Sequence, residues 1–268
     1  MDHRTETPKS PGVFPGIPFE IYRGWECFNI TTGLQLEKSI GHYFWALNNN
    51  YRDSQSMKIG RMFESLLLEP DKFEENYLIT EVSDRRTKEF KLAEQTAATE
   101  GKELILQNEA AKIFAMQDSV LGRNCAGQLI TEPGDVQTSI VWEENGILCK
   151  GRTDKIIIKD KMLIDLKTTA DASPETFAKT VGKYGYHVQL AHYASGLRAN
   201  GIHIEHCIIL AVENEPPYGA IPYRLTEQTL SIGEERRRKL FEVLKTAEAT
   251  EDALAYPDCI QELALATN

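Results

Sequence analysis

One segment constrains the fold of this chain more than any other: two short apolar runs joined by a polar turn. Residues 151–169 read GRTDKIIIKDKMLIDLKTT, a pattern typical of two antiparallel strands connected by a tight turn. The first predicted strand carries Asp154, the second carries Asp165, and Lys167 follows two residues later. Charged side chains on apolar strands cost free energy unless they are paired or bind a ligand. The segment therefore predicts a sheet with a polar site built on it.

The length of the turn decides which of these side chains share a face. Asp165 and Lys167 lie on one face because side chains alternate along a strand. A turn of two or four residues centred on residues 160–161 places residue 154 opposite 167, and Asp154 then lies on that same face. A turn of odd length without a bulge would place Asp154 on the other face. We expect the even turn, because it gathers the three charges.

Two carboxylates and an ammonium group on one half-buried face indicate a site for a divalent cation. Mg²⁺ needs few protein oxygens, because it keeps several waters and accepts phosphate oxygens. Such an ion polarises a phosphoryl oxygen and activates a bound water. A neighbouring lysine then stabilises the charge that develops on the phosphorus. We therefore expect Mg²⁺-dependent hydrolysis of phosphodiester bonds, with Mn²⁺ as a possible substitute.

The charge and the cysteines exclude other classes. The net charge is −10, whereas a protein that coats nucleic acid regardless of sequence is usually basic. Residues 150–167 nevertheless hold six Lys and Arg against three Asp, which fits a negatively charged substrate admitted at one place. The five cysteines lie far apart without a C-x-x-C pair, which argues against a disulfide framework and against a zinc or iron–sulfur site.

The composition predicts the domain organisation and the location of the protein. Residues 1–20 are rich in proline and predict a flexible tail, and residues 21–268 predict a single domain. The chain has no apolar run of the roughly 20 residues that a membrane helix needs, so we expect a cytoplasmic protein without membrane contact.

The order of the predicted helices and strands indicates an α/β fold with a central mixed β-sheet flanked by helices. Helices are predicted at 34–50, 57–69, 102–124, 174–181, 186–200 and 227–250, and strands at 137–142, 147–150, 153–158, 162–167, 206–213 and 220–225.

The hairpin also carries a resemblance to a known family. Asp154 followed by Asp-x-Lys resembles the core of the PD-(D/E)xK nucleases. GRTDKI…LIDLKTT is similar to the RecE (exodeoxyribonuclease VIII) type and its phage relatives, and more distantly to lambda exonuclease. The resemblance runs from about residue 25 to 215. It includes, in family order, NITTGLQLEKSIGHYFW, IGRMFESLLLEP, SDRRTKEFK and YGYHVQLAHYASGL.

The resemblance implies a restriction-endonuclease-like core and a role for each matching residue. Asp154, Asp165 and the backbone carbonyl of Leu166 would bind a metal, and Lys167 would be the catalytic lysine. Glu64, which stands where many RecE-like proteins have His, would bind a second metal or a metal-bound water. Gln189 would position the nucleophile or a phosphate. The implied DNA contacts are Arg152, Tyr186, Tyr193, Arg85, Arg86 and Lys88.

The function implied by the resemblance is 5′-to-3′ resection of double-stranded DNA ends for recombination and single-strand annealing. Such exonucleases form rings, so we expect a homo-oligomer, a trimer or tetramer. A single-strand annealing protein would be a partner, and the origin would be a phage or prophage in a bacterial host. The alternatives are a RecB-like nuclease of other polarity or strand preference, and a DNA-end-binding module that has lost catalysis.

Overall fold

The apolar strands of the chain build a six-stranded sheet. The computed structural model describes residues 6–49, 54–82, 86–247, 255–256, 259–260 and 262. The strands are β1 (Gly12–Phe14), β2 (Tyr77–Thr80), β3 (Glu103–Leu106), β4 (Asp135–Glu144), β5 (Ile147–Ile157), β6 (Met162–Thr169), β7 (His206–Glu213) and β8 (Ala220–Arg224). The helices are α1 (Phe19–Gly24), α2 (Ile30–Gly33), α3 (Ile40–Asn48), α4 (Gln55–Leu68), α5 (Pro70–Asn76), α6 (Lys88–Glu100), α7 (Gln107–Leu121), α8 (Asn124–Thr131), α9 (Pro174–Tyr184), α10 (Tyr186–Ala199) and α11 (Glu227–Ala247).

The main sheet is mixed, as the sequence predicts. Its strand order is β1-β4-β5-β6-β7-β8, and only β6 and β7 run parallel to each other within it. Strands β2 and β3 form a separate parallel pair. No helix in the described part of the chain is long and apolar enough to cross a membrane.

Helices cover both faces of the sheet, so the core has two layers. Helices α9, α10 and α11 pack on the face that carries Leu163 and Ile209. Helices α4, α5, α7 and α8 pack on the face that carries Ile164 and Leu210. Because side chains alternate along β6, Asp165 shares the face of Leu163.

The turn between β5 and β6 has an even number of residues, as predicted. Ile157 pairs with Met162, which leaves the four residues 158–161 in the turn. Lys161 completes this turn in the left-handed conformation, with φ 52°. The register differs from the prediction by two residues, because the turn lies one residue earlier and Ile156 pairs with Leu163 instead of Asp165. A shift of two residues keeps Asp154, Asp165 and Lys167 on one face.

Several predicted segments differ from the structure. The helix predicted at 34–50 is a 3₁₀ turn, Leu34–Glu37, followed by α3, and the strands predicted at 147–150 and 153–158 are the single strand β5. Part of the predicted tail, residues 1–20, belongs to the fold: β1 pairs with β4, and Ile17 is buried against Trp25 and Val141. The high proline content of this segment predicted flexibility, and its few apolar residues gave too weak a signal to predict these contacts. The single helix predicted at 102–124 begins instead as β3, because Glu103–Leu106 pairs with Tyr77–Thr80, which lies distant in sequence.

Candidate active site

The predicted site residues meet where β5 and β6 separate. Pairing between the two strands ends at Lys155 and Ile164. Beyond this point the Asp154 side chain takes the place of a strand partner, since its Oδ2 accepts a hydrogen bond of 2.6 Å from the backbone N–H of Leu166. This bond holds the Asp154 side chain next to Leu166 on β6, the residue that follows Asp165.

Asp165 is a buried carboxylate with incomplete pairing. Its relative exposure is 1%. The ammonium group of Lys167 lies 2.6 Å from Oδ2, but outside hydrogen-bonding angles, so it acts as an ion-pair partner. Among the described residues neither oxygen of Asp165 has a hydrogen-bond partner. A native structure rarely leaves such a group without a ligand, because the desolvation is costly.

Glu64 reaches this cluster from the other helix layer. It lies on α4, whose apolar side packs on the opposite face of the sheet from Asp165. One turn earlier, Gly60 lets the helix approach β6, since a Cβ there would lie 3.3 Å from Thr168 Oγ1. The carboxyl groups of Glu64 and Asp154 lie close enough for each to shift the pKa of the other. We call Glu64, Asp154, Asp165 and Lys167 the acidic cluster.

The electrostatics of the acidic cluster disfavour its full negative charge. Burial raises the pKa of Asp154 well above its ordinary value, and the charges of Glu64 and Asp165 raise it further. Burial also raises the pKa of Glu64, although Gln137 and Lys167 oppose this. Burial alone would lower the pKa of Lys167, but the Asp165 and Asp154 carboxylates outweigh it and raise that pKa. Lys167 therefore stays charged, and the three acids still outnumber the nearby positive charges of Lys167 and Arg152.

The donor set fits a hard divalent cation. In the described part of the chain no three His, Cys, Asp or Glu side chains are already arranged as a metal site. Mg²⁺ does not require such a cage, because one or two carboxylates and several waters suffice. Asp165, whose buried oxygens accept no hydrogen bond among the described residues, and Asp154 are the residues that would hold it. The Leu166 carbonyl points to the same strand edge as its N–H and could add an oxygen, and Glu64 a further one.

Three predicted residues of α10 line the cluster. Gln189 Nε2 donates a hydrogen bond of 2.8 Å to the hydroxyl of Tyr193. Burial raises the pKa of Tyr193, and the nearby Asp165 raises it further, which places the phenol beside the acidic cluster. The Lys167 Nζ atom lies 5.1 Å from the centre of the Tyr186 ring, a cation–π contact. Residues 186, 189 and 193, which the sequence predicts on one helix face, thus lie at one site in the structure.

The family of the chain follows from its sequence as a whole. Residues 33–259 match the model of a family described as a PDDEXK-like domain of unknown function, DUF3799. The chain belongs to this PDDEXK-like family. No curated protein of similar sequence was found.

Two solved structures are similar to this PDDEXK-like chain. A candidate exonuclease from Eubacterium rectale is 13% identical, with 90% of this chain and 91% of that chain covered and a TM-score of 0.62. A phage related exonuclease from Haemophilus somnus 129PT is also 13% identical, with 70% of this chain and 95% of that chain covered and a TM-score of 0.32. The first similarity, together with the family match, confirms the predicted fold class.

The predicted basic contacts lie in different places of the PDDEXK-like fold. Arg152 lies beside the acidic cluster, but its guanidinium group is engaged within the protein. Its Nε donates to Gln137 Oε1 at 2.7 Å, and its Nη1 donates to the Ile17 carbonyl at 2.6 Å. Arg86 and Lys88 are exposed, just before and at the start of α6. Arg85 lies outside the described residues.

Gln137 is a site residue that sequence reasoning missed. It lies opposite Asp154 in the β4–β5 register, and its Nε2 donates a hydrogen bond to Glu64 Oε1. It therefore joins Arg152 to Glu64. Its backbone is in the left-handed region, with φ 48°, which is uncommon for a residue other than glycine and occurs often at functional sites. No local pattern signals this role, since a glutamine on a β-rich run reads as an exposed strand residue.

Proposed function

We propose that this PDDEXK-like chain is a divalent-metal-dependent deoxyribonuclease that hydrolyses phosphodiester bonds at DNA ends. The observation that carries the proposal is the buried Asp165 carboxylate, whose oxygens lack hydrogen bonds among the described residues, beside Asp154 and Lys167. A cluster with three acids and one ammonium group is completed by a cation. The phosphate of DNA supplies the anionic partner for the rest of the cation's coordination shell.

Each residue has a distinct task in this proposal. Asp154 and Asp165 hold the cation, which when bound polarises a phosphoryl oxygen and lowers the pKa of a water. Lys167 is charged and faces the cluster, so it stabilises negative charge that develops on the phosphoryl group. The Tyr186 ring restricts the position of the ammonium group. Gln189 and Tyr193 present an amide and a hydroxyl group that orient a phosphate or a water.

The finer function rests on the resemblance of the sequence to RecE-like exonucleases. We propose 5′-to-3′ resection of double-stranded ends, with Mg²⁺ as the physiological ion and Mn²⁺ as a substitute. We also propose a ring-shaped trimer or tetramer that acts with a single-strand annealing protein. The name of the similar structure from Eubacterium rectale, a candidate exonuclease, supports an exonuclease over an endonuclease.

Digestion of linear and closed-circular DNA tests the proposal. We expect loss of linear DNA alone, with release of a 5′ label before a 3′ label, only when Mg²⁺ or Mn²⁺ is present. The Lys167→Ala variant should lose most of this activity. Lys179→Ala is the matched control, because Lys179 is an exposed lysine paired with Glu175 on α9. Equal cleavage by Lys167→Ala and the wild type would refute the assignment, and DNA binding by the wild type without cleavage would favour an end-binding module.

A further inference from the structure

We propose that Tyr184 and Tyr186 form a stacking platform for an unpaired base at the DNA end, next to the acidic cluster. This inference rests on the proposed nuclease function and extends it to the class of substrate. The ligand is the nucleobase of a terminal, unstacked nucleotide whose phosphate lies at the cluster.

The turn between two helices creates the platform. Helix α9 ends at Tyr184 and α10 begins at Tyr186. Gly185 connects them in the left-handed conformation, with φ 71°, and a Cβ there would lie 2.8 Å from Leu34 Cδ1. This sharp, closely packed turn sets the two tyrosine rings side by side. Their centres are 5.8 Å apart and their planes differ by 20°, a stacked arrangement.

The platform has a fixed inner ring and an open outer ring. The inner ring, Tyr186, is half-buried and contacts Lys167, whose ammonium group is 5.1 Å from the ring centre, and Phe177, whose ring centre is 6.5 Å away. The outer ring, Tyr184, is 54% exposed. Lys183 places its ammonium group 5.2 Å from the centre of the Tyr184 ring. The row of two rings therefore has the catalytic lysine at Tyr186 and a second cation at Tyr184, which is open to solvent.

The chemistry of this row matches a single nucleotide. Stacking of a base on an aromatic side chain contributes about 1–3 kcal/mol and tolerates every base, since each has a π-face. The ammonium groups at the two ends of the row suit the phosphates that flank such a base. Bases inside a duplex are already stacked on both faces, so only an end base or an unpaired base can present a free face. The platform thus favours frayed ends and single-stranded overhangs.

Fluorescence of a terminal 2-aminopurine tests this inference, because stacking quenches it. The probe is a DNA hairpin with a short overhang that carries 2-aminopurine at its 5′ end, and a second hairpin carries it at its 3′ end. Binding is measured with the full chain and Ca²⁺ in place of Mg²⁺, because Ca²⁺ takes the same oxygen ligands in a looser geometry, so the cluster keeps a cation while cleavage is suppressed. We expect the wild type to quench one of the two probes. Tyr184→Ala should lose most of the quenching and bind about tenfold more weakly, whereas Tyr184→Phe and Tyr184→Trp should retain both.

Tyr256→Ala is the matched control, because Tyr256 is another exposed tyrosine whose ring lies against His42. Unchanged quenching and affinity in Tyr184→Ala would overturn the platform, while cleavage of linear DNA by the wild type would leave the proposed function standing. Loss of quenching in Tyr184→Ala, with a wild type that never cleaves DNA, would support the platform and refute the nuclease. A change of subunit number in Tyr184→Ala with unchanged quenching would assign the ring to a protein interface and also overturn the platform.

Discussion

Two charged clusters, each with a buried member, contact α10, and they differ in how completely their charges are paired. The first is the acidic cluster. The second, which we call the Arg237 network, consists of Arg237, Glu144, Glu234 and Ser195. Arg237 is 3% exposed, and its guanidinium group donates to Glu144 Oε2 at 2.6 Å and to both carboxylate oxygens of Glu234. Ser195, on α10, lies 3.4 Å from Nη2.

The difference separates a structural network from a binding site. Glu144 also accepts a hydrogen bond from Trp142 Nε1, so the Arg237 network meets the rule that buried charges are paired and hydrogen-bonded. The acidic cluster does not, because the buried Asp165 oxygens accept no hydrogen bond among the described residues and the three acids outnumber the nearby positive charges of Lys167 and Arg152. Complete pairing stabilises the fold, whereas incomplete pairing leaves a desolvation cost that a bound ligand can offset.

The two clusters also respond to pH in opposite directions. Burial alone would raise the pKa of Glu144, but Arg237 outweighs it and lowers that pKa. The stability from Glu144 is therefore present above its unfolded pKa and lost as the pH falls through the folded one. Asp154 and Glu64 have raised pKa values in the folded protein. Their contribution to stability is present at low pH and lost as the pH rises through those values.

The largest effect should come from removing one charge at the acidic cluster. We expect Asp165→Asn to reduce cleavage of linear DNA by about 10³-fold, because it removes a main cation ligand, with an unchanged circular dichroism spectrum. Glu234→Gln makes the same change of charge in the Arg237 network and should leave the cleavage rate within about twofold. Full Mg²⁺-dependent cleavage by Asp165→Asn would show that the comparison between the clusters is wrong.

The next largest effect should be on the stability of the fold and not on the rate of DNA cleavage. Arg237→Leu leaves the partly buried Glu144 without its partner, and we expect it to lower the free energy of unfolding by about 2 kcal/mol at neutral pH, since solvent screens the more exposed Glu234. The loss should shrink at acid pH, where these carboxylates bind protons. Urea denaturation at several pH values measures it. Arg237→Lys, which keeps the charge but not the planar fork, should lose less. An equal loss at acid and neutral pH would contradict the electrostatic explanation.

A smaller effect should come from Gln137, which touches Glu64 and not the reacting atoms. We expect Gln137→Leu to reduce kcat about tenfold, because a hydrogen bond to a charged group contributes about 1.5–3 kcal/mol. The bond from Gln137 lowers the pKa of Glu64, so its loss should move the acid limb of the pH–rate profile to higher pH. A lower rate without a shift of the acid limb would indicate a merely structural role.

The smallest effect should be a gain of stability at the site. Without metal, Asp154→Asn should raise the free energy of unfolding by about 1 kcal/mol at neutral pH, because it removes a charge that burial and two other acids disfavour. The amide oxygen can still accept the hydrogen bond from Leu166. The gain should vanish below the ordinary pKa of a carboxyl group, where Asp154 is protonated in both states. Thermal unfolding in EDTA across this pH range measures it, and a loss of stability at neutral pH would contradict the prediction.

The predictions that succeeded from sequence rest on short-range regularity. Alternation along two strands and an even turn placed Asp154, Asp165 and Lys167 on one face, and the four-residue turn confirms the parity. Helical spacing likewise placed Gln189 and Tyr193 on one face of α10, where the structure finds them hydrogen-bonded. The roles of these residues in catalysis remain predictions that the proposed experiments test.

Only the tertiary structure decided which residues from distant segments of the chain contact one another. The position of Glu64 beside Asp154, the link through Gln137 to Arg152 and the burial of Ile17 each join segments far apart in the chain. Arg152 illustrates the limit: the sequence places it near Asp154, but its donors are engaged by Gln137 and the Ile17 carbonyl. Local patterns fix the direction of a side chain because they depend on neighbouring residues. Hydrogen-bond partners and burial depend on which distant segments pack together, and that is settled only when the whole chain folds.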